Sequence, residues 1–167
     1  MKKQNQIIVG ALGLPVSKDG KVLMTQRHAP GRPAWHHKWQ LAGGGVEFGE
    51  TMEEAVVREM WEELHVKAKI IHPYPIVKTS IWYAKESDEK MDTQVILITY
   101  LVDIGSQTPD LDHDPDWETA AFGWFTLEEA KKLDCLPLTI PVVEEAFQLL
   151  DQHDILQRIQ QNLPKGA

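Results

Sequence analysis

One cysteine, Cys135, stands in a chain of 167 residues, so no disulfide can form within it. That fits a reducing compartment, and the cytoplasm is the expected location. Long apolar runs are missing as well. Ile7 to Leu14 is far shorter than the roughly 20 residues a membrane helix needs. It contains Gly10 and Gly13 and lacks a small-residue cleavage pattern, so neither a membrane partner nor a signal peptide is expected. Basic residues are scarce: 17 Lys and Arg against 25 Asp and Glu leave a formal net charge of −8. That balance disfavours nonspecific contact with nucleic acid backbones, so no duplex partner is expected. Internal repeats and linkers are absent too. Residues 1–167 therefore read as one domain, with a core over about 6–152 and a tail from about 162. A chain of this length buries about two-thirds of its surface.

What is present is concentrated between residues 44 and 66. Gly44 is followed after five residues by Glu50, and after seven more by Arg58, Glu59, Met60, Trp61, Glu62, Glu63, Leu64, His65 and Val66. Thr51 with Glu54 forms a capping box, and Met52, Val56, Met60 and Leu64 recur every fourth residue, so a helix is predicted. On that helix Glu59 neighbours both Glu62 and Glu63. Like charges at those spacings cost an isolated helix roughly 0.2–0.5 kcal/mol per pair. A cluster placed against that cost points to a hard divalent counter-ion, Mg²⁺ or Mn²⁺. The competing reading is a solvated acidic face. Before the helix, Leu41 to Gly45 reads as a glycine turn where backbone can approach a ligand closely.

Elsewhere, Ile7–Val16 and Lys21–His28 read as strands joined by a turn at Lys18-Asp19-Gly20. His28–Lys38 reads as a loop broken by Pro30, Gly31 and Pro33, and Trp39–Ala42 as one short strand. Lys67–Ile71 and Ile76–Tyr83 look extended, Lys85–Asp92 is a polar loop, and Thr93–Ile104 is the strongest strand signal. Gly105–Glu118 is a long acidic loop, and Ala121–Phe125 is a strand. Thr126 with Glu129 opens a short helix. Pro141 suits the first turn of a last helix that aligns Val142, Ala146, Phe147 and Leu150. Strands interleaved with helices give an α/β fold.

The spacing G-x5-E-x7-R-E-U-x-E-E-x-G-U, with U aliphatic, is the signature of the Nudix (MutT-like) hydrolases. Gly44, Glu50, Arg58, Glu59, Met60, Glu62, Glu63 and Val66 match it. The chain departs at His65, which replaces the last glycine of the box, and at Ala42, which replaces the usual proline. The resemblance implies a Nudix fold, a mixed β-sheet sandwiched between α-helices. It implies a hydrolase that breaks a phosphoanhydride bond of a nucleoside diphosphate-linked substrate. Glu59, Glu62 and Glu63 would be metal ligands, with the carbonyl of Gly43 as another. The catalytic set would be Glu59, Arg58 and Glu62, with Glu59 alternatively the base and Arg58 bracing the glutamates. Gly44 and Glu50 would support them if their loop folds back over the helix. Glu118 is expected to join the metal site from the acidic loop, with Asp114 and Asp116 as competing carriers.

The short chain resembles MutT-type pyrophosphohydrolases of (deoxy)nucleoside triphosphates, oxidised ones included. Ile81 to Ala84 lack the proline associated with ADP-ribose enzymes, and Tyr83 leaves dinucleoside polyphosphates open; nucleotide sugars are a further alternative. From another class, a non-catalytic nucleotide-binding regulator is opposed by the intact glutamates. Isomerisation of an isoprenoid diphosphate is opposed by the late position of Cys135. For substrate binding, Arg27 near the end of the second strand is a phosphate candidate. Trp35 is a stacking candidate, whereas Trp39, Trp82, Tyr83 and Trp124 read as core or sheet-face aromatics. His36 and His37 are adjacent and read as loop residues rather than ligands. A homodimer is compatible with the sequence.

Overall fold

The computed structural model describes residues 5–87 and 90–153. The tail expected from Asn162 lies outside them. The first strand, β1 (Gln6–Pro15), runs parallel to β7 (Thr93–Asp103) from Gln6 opposite Thr93 to Pro15 opposite Val102. On its other side β1 pairs antiparallel with β4 (Ala42–Gly45). The far edge of β7 carries β5 (Lys69–Ile70) and β6 (Ile76–Trp82), both antiparallel. A second, three-stranded sheet orders β3 (Trp39–Gln40), β2 (Val22–Arg27) and β8 (Thr119–Phe125).

Side chains alternate across β1, and this sets the layers. Ala11 packs with α1 (Met52–Leu64), where Val56, Met60 and Leu64 are fully buried. Leu12 and Leu14 pack on the opposite face with α4 (Thr139–His153), through Val142, Val143, Ala146 and Leu150. Burial of each large aliphatic is worth about 1.5–3 kcal/mol, enough to hold both helices on the sheet. The result is the mixed sheet between helices that the Nudix resemblance implies. No described helix is long and apolar enough to cross a membrane.

Both capping boxes form: Thr51 with Glu54 opens α1, and Thr126 with Glu129 opens α3 (Leu127–Ala130). Four expectations are corrected. Trp39–Ala42 is not one strand; the chain changes sheets at Leu41, so β3 and β4 belong to different layers. The glycines at 43–45 are not a turn but the strand β4. Gly43 (φ 140°) permits a close approach to β1, where a Cβ would lie 2.3 Å from the Ala11 carbonyl oxygen. The polar segment after β6 begins with a helical turn, α2 (Ala84–Ser87), and the acidic loop contains a 3₁₀ turn at Leu111–His113.

His65 ends α1 in the left-handed region (φ 53°, ψ 37°), where the box would have glycine. That conformation costs a residue with a Cβ roughly 1–2 kcal/mol. The turn still closes, since the N–H groups of His65 and Val66 donate to the Trp61 and Met60 carbonyls.

Candidate active site

Two carboxylates of α1, Glu59 and Glu63, point back at β4. A Cβ on Gly44 would lie 2.6 Å from Glu59 Oε1, so only glycine leaves room for that carboxylate. Beside it, the Gly43 N–H donates to Glu63 Oε2 at 3.2 Å. Glu63 is nearly inaccessible and Glu59 is little more exposed. Burial pushes the Glu63 carboxyl well above the ordinary carboxylate range. The charge of Glu59 adds to the rise, and the Gly43 N–H opposes it. Burial raises Glu59 as well, against the pull of Arg58.

Arg58 holds the cluster together. Its Nε and Nη2 donate to the two oxygens of Glu50 at 3.1 and 2.7 Å, a bidentate pair. Its Nη1 donates to Glu59 Oε1 at 2.7 Å and Glu62 Oε2 at 3.0 Å, and its Nη2 also reaches the Gly45 carbonyl at 3.0 Å. The loop after Gly44 therefore does fold back over the helix. Arg58 holds Glu50 below the usual carboxylate range, and Glu50 in turn raises Arg58.

These groups, Glu50 apart, line a cavity of about 290 Å³ between β4, α1 and the acidic loop. Its walls include Glu47, Glu59, Glu62, Glu63, Asp114, Asp116 and Glu118, with Arg58 the one guanidinium among the described residues there. The structure thus brings Glu118 to the box glutamates from 55 residues away. Asp114 plays a different part from Glu118: it is buried, and its carboxylate accepts from the Asp116 and Thr119 N–H groups at 3.1 and 2.9 Å. Glu47 was not singled out from sequence, although its place between Gly44 and Glu50 was the available signal.

The all-oxygen donor set and the excess of negative charge fit a hard divalent cation. Among the described residues no three His, Cys, Asp or Glu side chains already converge on one ion-sized point. Glu59 and Glu62 are gathered on Arg58 instead.

A second, mainly apolar cavity of about 110 Å³ lies beyond Arg27 and is lined by Leu12, Trp35, Gln40, Trp82, Leu97 and Leu136, among others. Arg27 joins the two cavities. Its Nη2 is 3.4 Å from Glu118 Oε2, and its guanidinium carbon is 5.6 Å from the Trp35 ring centre. Trp35 is buried rather than looped out, packed edge-on to Trp82 at 4.4 Å with Arg32 over its ring. Arg27 Nε and Trp82 Nε1 are buried without a hydrogen-bond partner. Trp82 therefore has a place in a cavity wall that its position in β6 did not reveal. His36 and His37 stack on each other at 3.7 Å, and neither lines the acidic cavity.

The chain belongs to the Nudix family: the NUDIX domain model matches residues 6–146. It is 29% identical over 120 residues to the nucleoside triphosphatase NudI of Enterobacter sp. (strain 638), covering 72% of this chain and 84% of that protein. It is 29% identical over 142 residues to the CTP pyrophosphohydrolase of Escherichia coli K12, covering 81% and 87%. Among solved structures, the MutT NUDIX hydrolase of Burkholderia pseudomallei superposes with a TM-score of 0.63 at 26% identity. That match covers 83% of this chain and 97% of that one. The chain is thus a Nudix-type hydrolase, a class that acts on nucleotide pyrophosphate bonds.

Proposed function

We propose that this enzyme hydrolyses (deoxy)nucleoside triphosphates, oxidised ones included, to a nucleoside monophosphate and pyrophosphate. The observation that carries the reading is the pairing of two cavities, one acidic and one aromatic, across Arg27. A polyphosphate held in the first places its base toward the second. The names of the relatives, a nucleoside triphosphatase and a CTP pyrophosphohydrolase, support the same class.

Glu59, Glu62 and Glu63 would hold Mg²⁺ or Mn²⁺, with the Gly43 carbonyl and Glu118 completing the set. The bound cation supplies charge neutralisation at the phosphate oxygens and a lower pKa for the attacking water. Water attacks phosphorus, the phosphoanhydride oxygen leaves with the bond's electron pair, and a carboxylate takes the water's proton. Glu59 is the alternative candidate for that last role, in which case Glu62 and Glu63 would be left to hold the cation. Arg58 keeps Glu59 and Glu62 in register and is itself too fully engaged to bind phosphate. Trp35 and Trp82 offer apolar walls to a planar ring, and their neighbour Arg27 lies close enough to meet a phosphate once released from Glu118.

The test is a panel of nucleoside triphosphates, oxidised nucleotides, dinucleoside polyphosphates and nucleotide sugars, each with Mg²⁺ and with Mn²⁺. Pyrophosphate released from triphosphates, and lost in Glu62→Gln, is the expected result. Turnover confined to the other substrates would replace the substrate class. Tight nucleotide binding with no turnover would make the protein a regulator.

A further inference from the structure

The left-handed His65 has a ring that the box glycine would lack, and that ring is not idle. It sits against Trp61 at 3.9 Å between ring centres and stacks on His113 at 4.3 Å, with only 20° between the two histidine planes. His113 belongs to the 3₁₀ turn of the acidic loop, and its Nδ1 lies 2.9 Å from Asp110 Oδ2. The Asp110 N–H donates to the Leu64 carbonyl at 2.9 Å, so the backbone is tied at the same place. The residue after His113 is Asp114, whose buried carboxylate accepts from Asp116 and Thr119 and so brackets Glu118. The loop's entry is fixed as well, by the Gln107 amide against both backbone groups of Lys67.

We infer that His65 is a positioning residue: through its stack on His113 it anchors the end of α1 to the loop that presents Glu118 to the acidic cavity. The inference rests on the role proposed above for Glu118. A glycine at 65 ends the helix without strain but leaves the loop with one lateral anchor fewer. Strain at residue 65 and order at residue 118 are thus linked through one ring contact, consistent with strained backbone being kept where function needs it.

Four single substitutions separate the ring from the backbone. His65→Gly removes both strain and ring. His65→Asn tolerates the left-handed region but carries no aromatic ring. His113→Ala removes the partner, and His113→Phe keeps a stacking ring without the contact to Asp110. Steady-state kinetics are measured on the best triphosphate of the panel at saturating Mg²⁺, in wild type and in a Glu118→Gln background. The expected result is a kcat lower by about ten- to a hundredfold in His65→Gly, His65→Asn and His113→Ala, the range in which a misplaced group of about 1 Å acts. KM should stay within about threefold, and His113→Phe should turn over nearly as wild type. In the Glu118→Gln background the same changes should lower kcat no further, because their effect runs through Glu118. Equal fold losses in both backgrounds would overturn the inference, as would wild-type kcat in His65→Asn and His113→Ala while Glu118→Gln is slow. Wild-type kcat in Glu118→Gln itself would overturn the role of Glu118 and this inference with it.

Discussion

Gly44→Ala is the sharpest probe of the acidic cavity, because it moves one carboxylate and little else. Gly44 is not in the left-handed region, so alanine brings no backbone strain there. Its Cβ would lie 2.6 Å from Glu59 Oε1 and 2.8 Å from Glu59 Oε2. Ordinary contact begins near 3.4 Å, so the carboxylate must retreat by about 0.8 Å. That retreat breaks or lengthens its 2.7 Å bond from Arg58. Overpacking a core costs about 1–3 kcal/mol, and a flexible carboxylate end belongs at the low end of that range. For a domain of this size about 1 kcal/mol lowers Tm by roughly 2–4 °C. Turnover should suffer far more, falling on the order of a hundredfold, because a displacement of this size at a reacting group carries that penalty. Tm is read without divalent ion, so that lost metal binding does not enter, and kcat is read at saturating Mg²⁺. Turnover within twofold of wild type would refute the idea that the seat of Glu59 matters. A Tm loss above about 10 °C would show that the backbone of β4, not the carboxylate, gives way.

Divalent metal should also stabilise the fold: at a hundredfold excess over Kd the gain is about 2.7 kcal/mol, a rise of roughly 5–11 °C in Tm. An unchanged Tm across a millimolar Mg²⁺ or Mn²⁺ titration would count against the metal site. Glu62→Gln and Glu63→Gln should each reduce turnover strongly while the circular dichroism of the fold persists; loss of the fold in either would reassign that carboxylate to structure. Glu118→Gln should lower kcat by about ten- to a thousandfold with little change in Tm, and wild-type turnover would remove it from the mechanism. Glu59 and Glu63 titrate above the ordinary carboxylate range. Without metal, the stability they contribute is full below the unfolded value near 4.5 and is lost as pH rises through their raised values. The Mg²⁺-induced rise in Tm should therefore grow over the same pH span, and thermal melts from pH 4 to 8 with and without Mg²⁺ test it. A Mg²⁺ effect independent of pH would mean that these two carboxylates are not the ligands.

The parts legible in sequence were those set by local chemistry. Thr51 and Glu54 announce α1 by satisfying each other's backbone, and four-residue spacing announces its buried stripe. The β-branched run from Thr93 announces β7, the strand at the centre of the sheet. The site's framework was legible because Gly44, Glu50 and Arg58 keep fixed spacing to the glutamates. What did not show was whatever depends on long-range placement. Leu41 carries no mark of a change of sheet, since both halves of Trp39–Ala42 are extended and only their partners differ. Trp82 reads as a sheet-face residue until Trp35 and Leu136 are brought beside it. Trp35 reads as a loop residue because Pro30, Gly31 and Pro33 lead into it, yet its bulk is buried.

The charge balance of the site leads to one conclusion about how it can accept a polyphosphate. Among the described residues, Arg58 is the single guanidinium in the wall of the acidic cavity, and each of its terminal nitrogens is already committed to a carboxylate or a carbonyl. Arg27, the next cation, stands against Glu118. Among the described residues, a phosphate chain entering the cavity would meet carboxylates and no uncommitted guanidinium in its wall. The chain's net charge of −8 adds to that repulsion. Burial raises the carboxyls of Glu59 and Glu63 above the ordinary range, which favours their protons over a bare charge. Cation binding would displace those protons, since ligand carboxylates must be ionised. If Glu59, Glu62 and Glu63 hold a divalent ion as proposed, the metal–nucleotide complex rather than the free polyanion is the species the acidic cavity would receive.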